Sequence, residues 1–332
     1  MEEVEIIAGE DAVNAVLKSV IEEVSARIEN SSDSINNREL INLCRNFVRT
    51  VGTVDPHLYH EIAEASLNRL IKRRYAKYKT SSDSERAEGF LIETIMPFAA
   101  RLPTQTWRSS VQTIRQQFST PPGIAFLLWH LVSCREKETV LEPSAGTGSL
   151  IVWAENNIYC NEVDSRRCKI LRALGYAPTA FDAEFINDYL SPEIQPDCLL
   201  MNPPFSSSGG RTDRNSSRYG FRHVESALER LKQGGKFGVI LGEAGGLDTK
   251  TGIDFWRKLS QNIKVKAIIK ISGREYYKNG TTVDVNLIIG EKFRKTQKID
   301  WHSTISQIIC ISARTVEEVF EKAQKLNLRL DQ

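Results

Sequence analysis

Residues 202–205 read Asn202-Pro203-Pro204-Phe205 and follow directly on the apolar run Cys198-Leu199-Leu200-Met201. An apolar run of that length bounded by a turn signal reads as a buried strand. The two prolines beyond it stiffen the backbone, remove two N–H donors and force an extended turn. Such a turn is a rigid acceptor site. The Asn202 side-chain oxygen and the Pro203 carbonyl can both take hydrogen bonds from a planar NH2 group, which draws its nitrogen toward tetrahedral geometry and exposes the lone pair. The ring of Phe205 can stack on the plane that carries that group. A purely structural turn is the competing reading.

About sixty residues earlier, Leu141-Glu142-Pro143-Ser144-Ala145-Gly146-Thr147-Gly148 carries a strand into a Gly-containing turn and then into a helix expected to begin near Ser149. Small residues there let backbone amides approach a ligand closely, which makes Glu142, Pro143, Ser144, Ala145, Gly146 and Gly148 candidate cofactor residues. The full G-x-G-x-x-G is missing, which argues against a dinucleotide pyrophosphate, and no hydride-transfer histidine is evident to support a nicotinamide dehydrogenase. Glu162, with Val163 beside it, closes the next apolar run, Ile158-Tyr159-Cys160. It stands about twenty residues after Glu142, where an acid can accept hydrogen bonds from both ribose hydroxyls of a nucleoside cofactor. The bland alternative is a helix N-terminal acid favoured by the dipole. Asp182 closes a third run, Thr179–Phe181, and is placed to accept from an adenine amino group. Asp188, next to the ring of Tyr189, is the alternative.

The elements that must position these residues follow from the hydropathy pattern. Val13, Val16, Leu17, Val20, Ile21, Val24 and Ile28 form one stripe at three- and four-residue intervals, and further helical patterns follow around Leu40–Val51, Pro56–Tyr75 and Glu85–Ala100. From about Phe118, short β-rich runs alternate with helical ones: Thr139–Leu141, Ile158–Cys160, Thr179–Phe181, Cys198–Met201, Phe237–Leu241, Val265–Ile271 and Val285–Ile289. That alternation predicts a doubly wound, Rossmann-like α/β sheet whose last strand, joined without a helix, returns antiparallel. The expected organisation is an α-helical module over 1–115, the α/β domain over 116–295 and a C-terminal extension over 296–332.

Composition bounds the function classes. The chain has 332 residues, 41% apolar and 26% charged, enough for a substantial core, and no apolar run long enough for a membrane span or secretory signal, so a cytoplasmic location is expected. Six scattered cysteines without a C-x-x-C pair suggest neither zinc nor a disulfide framework. A net charge of +2 is too small to argue for nucleic acid by itself. Two local features could: Lys72-Arg73-Arg74-Tyr75-Ala76-Lys77-Tyr78-Lys79, whose bland reading is a solvated helix end, and a Ser/Gly/Arg-rich segment, Ser206–Arg222, expected as a long loop whose Arg211, Arg214, Arg218 and Arg222, with His223, could bind phosphates.

The order Thr120-Pro121-Pro122-Gly123, Glu142 to Gly148, Glu162, then Asn202 to Phe205 resembles the S-adenosylmethionine-dependent DNA adenine-N6 methyltransferases, including modification subunits of type I restriction systems and helicase-associated methylases of mobile elements. The resemblance covers about Phe118 to Lys292. It implies that Thr120, Pro121 and Pro122 hold the methionine part of the cofactor, that Glu162 binds its ribose, and that Asn202, Pro203, Pro204 and Phe205 grip the target amino group. It also implies that an aromatic residue of the final strands, here Tyr277, packs on a base rotated out of the helix. A sulfonium methyl donor carries its own leaving group, so alignment matters more than a strong base and no metal is required. No large target-recognition region follows the last predicted strand. DNA selection is therefore expected from the helical module, the arginine-bearing loop, or a separate recognition subunit or helicase. RNA bases and protein glutamine are the alternative substrates, and a methylase-like non-catalytic subunit is the alternative role.

Overall fold

Seven strands form one mixed sheet in the order β2-β1-β3-β4-β6-β5-β7, where β1 is Val140–Glu142, β2 Ile158–Cys160, β3 Cys198–Met201, β4 Lys236–Gly242, β5 Ile263–Ile271, β6 Val285–Lys292 and β7 Ile309–Ala313. The computed structural model describes residues 9–52, 56–78, 84–105, 118–155, 157–204, 219–293 and 301–330. Strands β2, β1, β3 and β4 run parallel, β6 is antiparallel to both β4 and β5, and β7 is parallel to β5. The antiparallel β6 is the return expected from the helix-free join. Strand β7 was not expected: its alternation, Ile309 and Ile311 against exposed Cys310, is short, and it gains strand identity from pairing with the edge of β5.

Because side chains alternate across a strand, β3 sends Cys198 and Leu200 to one face and Leu199 and Met201 to the other, and all four are buried. The first pair joins a cluster that runs from Val13 to Leu330 and takes in Ile240, Ile269 and Leu287. The second joins Leu141, Val239, Ile268 and Ile288 under two helices of residues 219–259.

Helix α1 (Glu10–Asn30) buries the stripe read from the sequence, with Glu10 and Asp11 in its first turn and Arg27 in its last, as the dipole favours. Helices α2 (Asn37–Leu43) and α3 (Arg45–Val51) follow, then the long α4 (Pro56–Tyr78), α5 (Ser84–Phe90) and α6 (Met96–Ala100). The sheet carries α7 (Pro122–Val132), α8 (Ser165–Ala173), α9 (Ile186–Tyr189), α10 (Tyr219–Arg230), α11 (Lys250–Leu259), α12 (Trp301–Ile305) and α13 (Val316–Lys325). Both α1 and α4 pack on α8, which seats the N-terminal helices directly beside the edge where the candidate site lies.

Four local expectations are corrected. No helix begins near Ser149: residues 146–153 are successive turns, with Ile151 N–H donating to the Gly148 carbonyl and Ala154 N–H to that of Ile151, because left-handed Gly146 (φ +54°) and Gly148 (φ +88°) redirect the chain. The run Thr179–Phe181 is not a strand. A single bridge joins Asn161 and Thr179, and the Asn161 side chain takes the Phe181 N–H that a ladder would need. The arginine-rich loop ends earlier than expected, since 219–222 already belong to α10. Finally, Tyr75 and Tyr78 are not base-stacking platforms. The Trp129 indole donates to the Tyr75 hydroxyl at 3.0 Å, the Tyr78 ring lies 4.5 Å from Phe90 at 16°, and Arg73 and Arg74 pair with Glu29. Lys79, like Arg211, Arg214 and Arg218, lies outside the described residues.

Among the described residues no helix is long and apolar enough to cross a membrane.

Candidate cofactor and amino-group site

The Gly turn leaves the C-terminal end of β1 and is stapled to β2 by buried Asn161. Its amide donates to the Pro143 and Phe181 carbonyls at 3.0 and 2.9 Å, while the Ala145 N–H donates to the Asn161 carbonyl at 2.9 Å. Glu162, at the end of β2, accepts from the Gly146 N–H and the Asp164 N–H, both at 2.8 Å. Each carboxylate oxygen has a second lone pair, so the clamp on the turn leaves acceptor capacity for hydroxyl donors. Burial pushes the Glu162 carboxyl up, and Arg167 opposes that rise. Glu142 is only 1% exposed, and among the described residues neither of its carboxylate oxygens has a hydrogen-bond partner. Burial holds it well above the ordinary carboxylate range, and the neighbouring Glu162 adds to this. A Cβ on Gly148 would stand 3.2 Å from Leu171 in a backbone conformation that side chains rarely adopt, so glycine is required there.

Asn202 sits where β3 ends. Its amide nitrogen donates to the Phe118 carbonyl at 3.3 Å and the Thr120 hydroxyl oxygen at 3.0 Å. A carbonyl can only accept, so this pairing fixes which end of the amide is nitrogen and leaves Oδ1 buried with no partner among the described residues. Thr120 is itself buried, and Pro121 behind it caps α7, whose N-terminal turn contains Pro122. Pro203 is buried and Pro204 half-buried. Gly220 lets α10 seat on this turn: a Cβ there would lie 2.7 Å from the Pro204 carbonyl oxygen. Phe205 lies outside the described residues.

The remaining candidates lie around this centre. Ser144 is half-buried in the turn, and Val163 is 54% exposed at its rim. Asp182 is exposed and accepts from the Glu184 N–H at the start of a 3-10 turn, Ala183–Phe185. Its alternative Asp188 is also exposed, and the Tyr189 ring stacks on Phe181 at 5.2 Å. Arg222 pairs with Glu184 at 2.9 Å, and His223 is buried against Asp182. Tyr277 belongs to a 3-10 turn, Gly273–Asn279, and is 62% exposed. It lines a cavity of about 340 Å³ whose wall also includes Thr120 and Pro121.

The structure adds residues that sequence reasoning missed, all tied to α4 and α8. Asn68 donates to the Thr147 carbonyl at 2.9 Å and the Ser149 hydroxyl at 3.2 Å. The buried Arg167 guanidinium donates to Glu61 at 2.8 Å, and Arg166 approaches both Glu61 and Asp164. Glu64 touches the Gly turn through Thr147 at 3.5 Å and the Tyr277 turn through Asn279 at 3.1 Å. Glu61, Glu64, Glu142, Glu162 and Asp164 thus share one region with Arg166 and Arg167, a local excess of acid. Polar residues inside a helix that should be amphipathic were the available signal: His57, His60, Glu61, Ser66 and Asn68 of α4 are all buried.

No protein-family model and no curated protein matches the sequence. Solved structures do. A protein from Listeria monocytogenes described as a class I S-adenosylmethionine-dependent methyltransferase superposes with TM-score 0.51 at 11% identity, over 96% of this chain and 99% of that one. The methyltransferase subunit of a type I restriction-modification system from Streptococcus thermophilus gives 0.50 at 15% identity, over 95% and 88%. A protein from Vibrio vulnificus described as a type I modification subunit gives 0.45 at 16% identity over 70% of this chain, which spans 57% of that subunit. The first two establish that this chain has the Rossmann-like α/β fold of S-adenosylmethionine-dependent methyltransferases.

Proposed function

We propose that the chain transfers a methyl group from S-adenosylmethionine to the N6 amino group of adenine in DNA, on a base rotated out of the helix. The observation that carries this reading is the Oδ1 of Asn202, buried and without a partner among the described residues, held in one orientation by Phe118 and Thr120. Leaving such an acceptor unsatisfied costs about 1–3 kcal/mol, which an arriving N–H recovers.

The residues fit the cofactor. Glu162 would accept from the ribose hydroxyls, Asp182 from the adenine amino group, and Thr120 with Pro121 would hold the amino-acid end. The Gly146–Gly148 turn admits a close ligand, and the local excess of carboxyl groups suits a cationic molecule. When bound, S-adenosylmethionine would supply an electrophilic methyl on a sulfonium with its leaving group attached. Asn202 Oδ1 and the Pro203 carbonyl would then accept hydrogen bonds from the two amino N–H groups, aim the nitrogen lone pair and leave the ring plane to Phe205 and Tyr277. A separate recognition subunit or helicase would be the partner that selects the target.

The test is transfer of labelled methyl from S-adenosylmethionine to unmethylated plasmid DNA, bulk RNA and protein in parallel. The expected result is label in DNA as N6-methyladenine, lost in Asn202→Ala while cofactor binding by calorimetry persists. Label in RNA or protein alone would overturn the DNA assignment.

A further inference from the structure

The cavity of about 340 Å³ is lined by His60, Glu64 and Asn68 of α4, by Thr120 and Pro121, and by the Tyr277 turn. Glu64 is the acid on the α4 side, half-buried, and Glu275 lies on the facing turn. The Asn279 amide donates to one oxygen at 3.1 Å, the Thr147 hydroxyl approaches the other at 3.5 Å, and the Ser119 hydroxyl also donates. All three are neutral donors. Among the described residues no lysine or arginine forms an ion pair with it, because the Arg167 guanidinium, which would be its natural partner, is bonded to Glu61.

We propose that Glu64 is the acceptor for the α-ammonium group at the amino-acid end of the nucleoside cofactor, so that a residue of the N-terminal helices supplies part of the cofactor site. This rests on the methyltransferase reading above and adds a residue to it. The placement follows from geometry: Glu64 shares the cavity with Thr120 and Pro121 and touches the Gly turn through Thr147, so it faces the space between the two segments that would hold the cofactor. The neighbouring side chains agree. His60 and Glu61 on its own helix, Arg167 on α8, and Arg274, Glu275 and Lys278 on the facing turn are the ionisable groups around it. Burial keeps His60 neutral, depressed to about 4, and Lys278 is directed away onto the Ala100 and Leu102 carbonyls.

The charge change is measurable. Burial pushes the Glu64 carboxyl up to about 7, with Arg167 pulling against this and Glu61 reinforcing it. Before binding, at pH 6, the group is mostly protonated. Arrival of an ammonium favours the carboxylate, so the proton leaves to solvent while the N–H donors of the ligand take its place. Above about pH 8 the group is already ionised and no proton is released.

The experiment is titration calorimetry of the full chain with S-adenosylhomocysteine, which keeps the ammonium, in buffers of different ionisation enthalpy between pH 6 and 8. The expected result is release approaching one proton at pH 6 that falls away toward pH 8. In Glu64→Gln the release is absent, and affinity for S-adenosylhomocysteine falls by on the order of tenfold or more, while 5′-methylthioadenosine, which lacks the amino acid, binds both proteins equally. Release that persists in Glu64→Gln assigns the proton to another acid such as Glu142 and overturns the proposal, as does equal weakening of both ligands. If wild-type protein binds neither ligand, the cofactor reading itself falls and this inference with it.

Discussion

Replacing Thr120 by valine tests whether the Asn202 amide is held in place or merely present. Valine matches threonine in shape, so the β-branch that packs beside Pro121 is kept and only the hydroxyl is lost. Asn202 then retains one acceptor for its Nδ2, the Phe118 carbonyl at 3.3 Å, in place of that carbonyl and the Thr120 oxygen at 3.0 Å. A buried donor deprived of its shorter partner loses about 1–3 kcal/mol of preference for its orientation. If that preference aims Oδ1 at the target amino group, the same loss appears in the transition state. At about 1.36 kcal/mol per decade the rate of methyl transfer falls roughly 5- to 150-fold. The assay is single-turnover methyl transfer to unmethylated plasmid DNA, alongside the calorimetric affinity for S-adenosylhomocysteine. A positioning role lowers the rate by more than it lowers that affinity, to which Thr120 would also contribute at the amino-acid end of the cofactor. The two changes should also be coupled, with Thr120→Val adding little to Asn202→Ala. A rate within twofold of wild type would refute the reasoning, and an affinity loss equal to the rate loss would leave Thr120 binding the cofactor without aiming the amide.

Two further predictions concern the supports of the site. Arg167→Met removes the guanidinium between Glu61, Glu162 and Glu64, leaving buried carboxyls uncompensated; a loss of about 3–5 kcal/mol is expected, read as a fall in Tm on the order of 10 °C, and a shift under 2 °C would show that the acids are neutral without it. His223 is depressed to about 4 by burial, against an unfolded value of about 6.5, so the unfolded chain binds the extra proton first and stability falls with pH through that window. Between pH 7 and 5, wild type should lose about 2 kcal/mol relative to His223→Gln in urea unfolding, whereas Glu64, which shifts in the opposite sense, is common to both proteins and cancels; parallel pH curves would contradict the burial argument.

The parts of the molecule legible in the sequence are those written in local pattern. The α1 stripe, the strand ending at Met201 and the helix-free join before β6 each carry their own signal, since burial period and turn chemistry are short-range properties. What failed was whatever depends on a partner distant in sequence. Thr179–Phe181 has strand-like residues, yet the Asn161 side chain captures its backbone, and nothing local announces that. Ser149 follows a turn of the kind that usually opens a helix, but Asn68 of α4 binds the Thr147 carbonyl and the Ser149 hydroxyl, and the chain continues in turns. Tyr75 and Tyr78 read as a nucleic-acid surface because composition cannot tell that Phe90, Phe126 and Trp153 are waiting to pack on them.

Helix α4 was legible as a helix around Pro56–Tyr75, but its buried polar contacts were not, for the same reason. An amphipathic helix that merely covers a sheet hides apolar residues and exposes polar ones. Helix α4 hides His57, His60, Glu61, Ser66 and Asn68 along with Ile62, Ala63 and Leu67. Burying so many polar groups is unfavourable unless they find partners, and several partners come from across the chain: Arg167 for Glu61 and the Gly turn for Asn68, while the Tyr277 turn reaches half-buried Glu64. Those three contacts land on α8, the Gly turn and the Tyr277 turn. Loss of α4 would therefore release all three at once, so under the proposed methyl transfer the polar face of α4, rather than its apolar one, is the part that would matter to the site.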